Sequence, residues 1–293
     1  MPSSLPSKEL SLWLLPICGL LLLLYWNICV ELGVNWYEDP NYSHGFLVPF
    51  LSAYFLWERW GEWKTTPASP SLWGIGLLGV GLCSLLVGLV GAELYTQRGS
   101  LIVVLAGLIL LLYGWRSLWI VSFPLVFLGF MIPLPAIVVN AVAFPLQLFA
   151  AKVASASLFL LGLPVLREGN LIVLPGTTLE VAEACSGLRS LVSLLALGTV
   201  YGYFSQRALW KRWMLVILSI PIAIVANAFR VSGTGILAHF GGAEAAQGFY
   251  HTFEGWVVFV VAFLLLGVCG LILSHIGKQQ AGHMVASTHG GCP

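Results

Sequence analysis

Apolar runs broken by short polar stretches fill almost the whole chain. The runs cover residues 10–30, 46–57, 72–90, 101–113, 118–132, 185–204, 214–228 and 255–276. A bilayer core is about 30 Å thick and offers no partner to an unpaired backbone group, so runs of this kind predict membrane-spanning helices, about eight of them. Residues 136–163 are as long but carry Asn140, Pro145, Gln147, Lys152, Ser155 and Ser157. At a helical turn of 100° per residue, Asn140, Gln147 and Ser155 share a face about 80° wide, which predicts an amphipathic helix lying on the outer side rather than another span. Beyond it the pattern shortens to alternation. Residues 170–174 and 177–181, joined by Pro175-Gly176, predict a short β-hairpin that delivers the chain to Cys185.

Composition agrees with the pattern and adds an orientation. Of 293 residues, 59% are hydrophobic and 9% charged, with 13 Lys+Arg against 12 Asp+Glu. The predicted fold class is an all-α polytopic membrane protein with that outer amphipathic helix and hairpin. A net charge of +1 excludes an electrostatic nucleic-acid binder. A cytoplasmic N-terminus puts Lys8, Arg59, Lys64, Arg116 and the cluster Arg207, Lys211 and Arg212 inside, as the positive-inside rule requires. A spanning helix at 136–163 would move that cluster outside. Residues 1–278 read as a single membrane domain whose first run is retained, and residues 279–293 as a disordered cytoplasmic tail. The 6 cysteines form no C-x-x-C pair, so neither a disulfide framework nor a zinc site is expected.

Only Cys185 has polar company: Glu183, Ser186, Gly187, Arg189 and Ser190 surround it where an apolar run begins. A helix N-terminus favours a thiolate over a thiol, and Arg189, at i+4, would share its face. Read blandly, Cys185 is a small buried hydrophobe and Arg189 a snorkelling cation. The charge-derived topology, however, brings Cys185, Arg230 and His251 to the same outer face. A thiol nucleophile needs a base that later protonates the leaving amine, which histidine supplies, and positive charge where an oxyanion develops, which arginine supplies. Glu254, one turn after His251, could orient it; as metal ligands the pair lacks a third member.

These residues resemble the exosortase/archaeosortase family. The resemblance is carried by Glu183-Ala184-Cys185-Ser186-Gly187-Leu188-Arg189, Asn227-x-x-Arg230, Gly248-x-x-His251 before Gly255-Trp256, and Tyr42-Ser43-His44-Gly45. It implies a catalytic Cys185, Arg230 and His251, with Glu183, Ser186, Gly187, Arg189, Asn227, His44 and Glu254 in supporting or substrate-binding roles and no cofactor or metal. The implied function is a cysteine endopeptidase or transpeptidase that cuts PEP-CTERM-like C-terminal sorting signals of exported, membrane-tethered proteins, often linked to exopolysaccharide and biofilm. The implied location is a bacterial or archaeal plasma membrane, with lipid around the protein and the site facing outward. The rival reading is a transporter or exopolysaccharide-export component. Transporters place ionisable groups at mid-membrane, whereas the middles of these runs are nearly free of charge. An aspartyl or zinc protease fails on inventory, since Asp39 is the sole aspartate and no H-E-x-x-H occurs.

Overall fold

The apolar runs fold as helices, and the chain divides into two compact units, Met1–Pro135 and Ala136–Pro293. The computed structural model describes residues 7–175, 177–181, 187–247 and 249–276, with side chains over 15–175, 178–181, 187–240 and 256–276. Among the described residues, 6 helices are long and apolar enough to cross a membrane: Leu15–Glu38, Trp73–Val90, Leu94–Tyr113, Ala136–Leu160, Leu209–Phe240 and Trp256–Ile276. The remaining apolar helices are shorter or less apolar.

The first unit holds α1 (Ser7–Glu38), α2 (Leu47–Glu58), α3 (Trp60–Thr65), α4 (Trp73–Val90), α5 (Leu94–Tyr113) and α6 (Trp115–Phe127). Glycine spacing zips α4 to α5. Gly74, Gly81 and Gly88 recur every seven residues on α4 and meet Leu111, Val104 and Gln97, which recur at the same interval on the antiparallel α5. A Cβ at Gly81 would lie 2.6 Å from Val104 Cγ2, and one at Gly88 2.7 Å from Gln97 Cγ. Lipid provides no hydrophobic drive between helices, so such close backbone approach supplies the packing. Glu93 caps α5, accepting from the N–H groups of Tyr95 (3.2 Å) and Thr96 (2.6 Å).

Pro124 inside α6 removes the donor for the Ile120 carbonyl. Arg59 Nη1 donates to that carbonyl at 3.1 Å, so a charged side chain repairs the gap left by the proline. Ser52, buried on α2, donates to the Pro124 carbonyl at 2.8 Å. The C-terminal end of α1 and the 3-10 turn Pro40–Phe46 after it are tied down by Trp36 and His44 respectively. Trp36 Nε1 donates to the Met131 carbonyl at 2.8 Å, and His44 Nε2 lies 3.2 Å from the Phe130 carbonyl.

The second unit opens with α7 (Ala136–Leu160), followed by β1 (Leu166–Glu168), β2 (Leu171–Leu174), β3 (Thr177–Glu180), α8 (Leu188–Ser205), α9 (Leu209–Gln247) and α10 (Phe249–Ile276). The predicted hairpin is present, with Leu174 opposite Thr177 across Pro175-Gly176, and β1 adds a strand to make a sheet of order β1-β2-β3. Its inner face, Ile172, Leu174, Leu179 and Val181, packs with Val231 of α9 against Ala150, Ala151, Ala154 and Leu158 of α7. That alanine stripe is what α7 buries, and Gln147 and Ser155 are only half-buried beside it. By length and composition α7 itself could cross a membrane, where the polar pattern had predicted an outer-side helix.

The base of α8 and α9 is bound to three successive turns of α10. Tyr201 Oη donates to the Gly267 carbonyl at 3.2 Å, Gln206 Nε2 to the Gly270 carbonyl at 2.9 Å and Lys211 Nζ to the Leu273 carbonyl at 2.6 Å. Two boundaries differ from expectation. The run predicted to end at residue 228 continues as one helix to Gln247, so His239 is helical. Glycine costs a helix about 1 kcal/mol against alanine, but packing overrides this: a Cβ at Gly235 would sit 2.8 Å from Leu158 Cδ1. The run predicted from Cys185 begins as helix only at Leu188.

Candidate active site

The sheet sets the direction in which the chain enters the candidate site. Val181 donates its N–H to the Asn170 carbonyl at 3.0 Å, and Asn170 Nδ2 donates back to the Val181 carbonyl at 3.4 Å. Residues 182–186 follow; Glu183, Cys185 and Ser186 therefore lie outside the described residues. Gly187, buried and left-handed at φ 84°, caps α8. Its carbonyl accepts from the Leu191 N–H at 2.8 Å, the first bond of the helix.

Gly187 has no room for a side chain. A Cβ there would lie 2.7 Å from Cγ and 2.9 Å from Cβ of Asn227, so the end of the cysteine-bearing segment is pressed directly onto α9. Asn227 is 3% exposed and flanked by the buried Ala226 and Ala228. Arg230 follows one turn later on α9 and is half-buried. Two of the predicted supporting residues, Gly187 and Asn227, are thus brought together beside the predicted catalytic arginine.

Arg189, the second residue of α8, is exposed. The left-handed Gly187 stands between it and Cys185, so the helical i+4 phase expected for that pair does not apply.

His251 and Glu254 belong to the first turns of α10, their side chains lying outside the described residues. Lys211 meets Leu273 near one end of the antiparallel α9 and α10, and Val258 packs further along with the cluster that includes Ala223 and Ala226. At about 1.5 Å per residue, Arg230 lies about 6 Å past Ala226, and His251 about 10 Å past Val258 in the same sense. Their backbones therefore leave the shared cluster on the same side. His239 is half-buried two and a half turns beyond Arg230, its ring edge-on to Phe240 at 5.0 Å. His44 belongs to the first unit, where its ring nitrogen bonds to the Phe130 carbonyl; the contact is a structural tie that composition could not reveal.

Against this geometry, the sequence profile of the transmembrane exosortase family matches residues 36–268. The chain belongs to the transmembrane exosortase family. The match crosses both units and takes in Gly187, Asn227, Arg230 and His251. Comparison with curated proteins and with solved structures gave no match. Exosortases are membrane cysteine peptidases or transpeptidases that act on secreted proteins carrying sorting signals, and the helices described above make this exosortase a multi-pass membrane protein.

Proposed function

We propose that this exosortase cleaves PEP-CTERM-like C-terminal sorting signals of exported, membrane-tethered proteins on the outer face of a bacterial or archaeal plasma membrane. Cys185 is the nucleophile, His251 the proton carrier and Arg230 the oxyanion or carboxylate partner. The observation that carries this reading is the seating of Gly187 on Asn227, one turn from Arg230. It supports a cysteine-bearing segment held in register with a cation.

The chemistry follows from the residue types. His251 takes the thiol proton, and the Cys185 sulfur attacks the scissile carbonyl carbon, whose oxygen becomes anionic beside Arg230. The C–N bond then breaks, its electron pair and the proton held by His251 leave as the new amine, and a thioester remains. Water or an amine acceptor attacks that thioester, loses its proton to His251 and releases the thiol. Glu254 orients the imidazole, and Glu183, Ser186 and Arg189 line the approach.

The test is processing of a co-expressed exported protein with a C-terminal signal. Cys185→Ala and Cys185→Ser are expected to accumulate uncut precursor at normal enzyme levels. Processing by both variants would end the nucleophile assignment and favour a transport or polysaccharide-export role.

A further inference from the structure

We propose that the open edge of β3 is the docking strand for the substrate polypeptide, which adds to the sheet as a fourth, extended strand. The proposal rests on the reading of Cys185 as the nucleophile, because β3 runs straight into residues 182–186.

Strand order β1-β2-β3 leaves β3 with one edge unpaired by the sheet. The register shows which groups that edge presents. Leu174 pairs with Thr177, Ile172 with Leu179, and the Val181 N–H reaches the Asn170 carbonyl. Main-chain groups alternate sides along an antiparallel strand, so Thr177, Leu179 and Val181 bond to β2 while the N–H and C=O of Thr178 and Glu180 point outward. Both residues are exposed, and among the described residues no main-chain hydrogen bond from outside the sheet reaches them.

Folded proteins blunt free edges with proline, lysine, bulges or a covering element, because a bare edge is a template for another strand. The stretch Thr177-Thr178-Leu179-Glu180 has no proline or lysine, and its pairing with β2 runs without a bulge. The opposite edge is less suited. There β1 spans Leu166–Glu168 only, and the Arg167 guanidinium folds back onto the Gly169 carbonyl at 2.9 Å.

Geometry and charge define the occupant. Pairing with Thr178 and Glu180 uses main-chain groups at alternate residues of an extended peptide, so affinity comes from backbone and selectivity from the side chains beside it. Glu168, Leu171 and Glu180 form one row across the sheet's outward face. A basic or hydroxyl residue next to Glu180 is favoured there and an acidic one disfavoured. At about 3.3 Å per residue, the five residues from Glu180 to Cys185 span at most about 17 Å, so the docked segment lies within a few residues of the bond to be cut.

The experiment is disulfide mapping in the Cys185→Ala protein, co-expressed with an exported protein that bears a C-terminal signal and anchor helix. Single cysteines in the segment ahead of that helix are oxidised against Thr178→Cys, Glu180→Cys or, on the other edge, Arg167→Cys. Docking predicts cross-links from Thr178→Cys and Glu180→Cys, with the substrate partner moving two residues between them, and no cross-link from Arg167→Cys. In the protein retaining Cys185, Thr178→Pro and Glu180→Pro, which delete outward N–H groups, are expected to raise KM more than kcat falls; Thr178→Ala, which keeps the N–H, raises it less. Cross-links that favour Arg167→Cys, lack the two-residue shift, or are absent while the parent protein cuts its substrate would overturn the proposal. Cutting that persists in Cys185→Ala would instead remove the nucleophile, a separate readout from the cross-link pattern.

Discussion

A single methyl group at Gly187 tests whether the cysteine-bearing segment has to sit where it does. Alanine at φ 84° carries the left-handed penalty of about 1–2 kcal/mol. Its Cβ would also lie 2.7 Å from Asn227 Cγ, where ordinary carbon contacts are about 3.5–4.0 Å apart. Overpacking of that kind costs about 1–3 kcal/mol, giving about 2–5 kcal/mol in total. Asn227 cannot retreat easily, being buried on α9 between Ala226 and Ala228, so relief comes from lifting the segment by about 1 Å. A misplacement of that size costs an enzyme about 100-fold in rate. Gly187→Ala is therefore expected to insert normally, lose roughly 4–20 °C of thermal midpoint, and process precursor about 100-fold more slowly per folded molecule. In a double-mutant cycle, Asn227→Gly restores the space but not the backbone preference, so Gly187→Ala should be less damaging in that background than alone. Normal turnover in Gly187→Ala, or a cycle with no coupling, would refute the claim that this contact sets the site.

Arg230→Lys is expected to lower kcat about 100- to 1,000-fold, as loss of an oxyanion donor does, whereas Arg189→Lys, altering an exposed residue, should stay within a few-fold; processing assays with the order reversed would reassign the arginine. His251→Ala should cost about 100- to 10,000-fold in turnover and His239→Ala little, while His44→Ala loses the tie to Phe130 and is expected to show in the thermal midpoint before the rate; normal turnover in His251→Ala would reject it as the base. Gly81→Leu should destabilise the α4–α5 pair by at least the about 1–3 kcal/mol of an overpacked core, read in detergent by thermal melting. Hydrogen bonds from Thr96, and then the Tyr95 N–H, hold the Glu93 carboxyl below its ordinary range. Because the folded value is the lower one, its stabilisation is present above the unfolded pKa of about 4.3 and is lost as pH falls through the folded value; the melting point of Glu93→Gln should then fall less over that acid window than that of the parent protein.

What the sequence disclosed followed from how local each signal was. The hairpin was legible because alternation and Pro175-Gly176 act within a few residues, although its strands, Leu171–Leu174 and Thr177–Glu180, are each one residue shorter than predicted. The third strand escaped notice because Leu166-Arg167-Glu168 does not alternate, and its pairing with β2 is defined only once Gly169, at φ 65°, turns the chain. Helix ends in the second unit were misread for the opposite reason. The apolar run stops at residue 228, yet the helix continues, and Gly235 within it is needed for contact with Leu158, a residue far away in the chain. At the other end, Cys185 looked like the start of a helix because the apolar run begins beside it; the left-handed Gly187 shows that the helix begins later, and only the fold exposes Asn227 as the reason that residue is glycine. The arginine repair of Pro124 was beyond the sequence as well, since Arg59 and Ile120 are 61 residues apart.

The continuation of α9 past Arg230 bears on where the chemistry sits relative to lipid. Arg212 is bound at the base of the helix, its Nε donating to the Gln206 carbonyl at 2.8 Å and its guanidinium 4.9 Å over the Tyr203 ring. From Arg212 to Arg230 is 18 residues of helix, about 27 Å at about 1.5 Å per residue, close to the hydrocarbon thickness of about 30 Å. If Arg212 sat at one interface, Arg230 would reach the other without its charge entering the apolar middle, although the apolar stretch of α9 continues to Phe240. A helix ending at residue 228, as the hydropathy suggested, would have left Arg230 in a loop with an uncertain heading. Held within a continuous helix, it keeps a fixed phase to Asn227, and Asn227 in turn fixes Gly187. The chain therefore sets Arg230 and Gly187, the end of the cysteine-bearing segment, against one continuous helix.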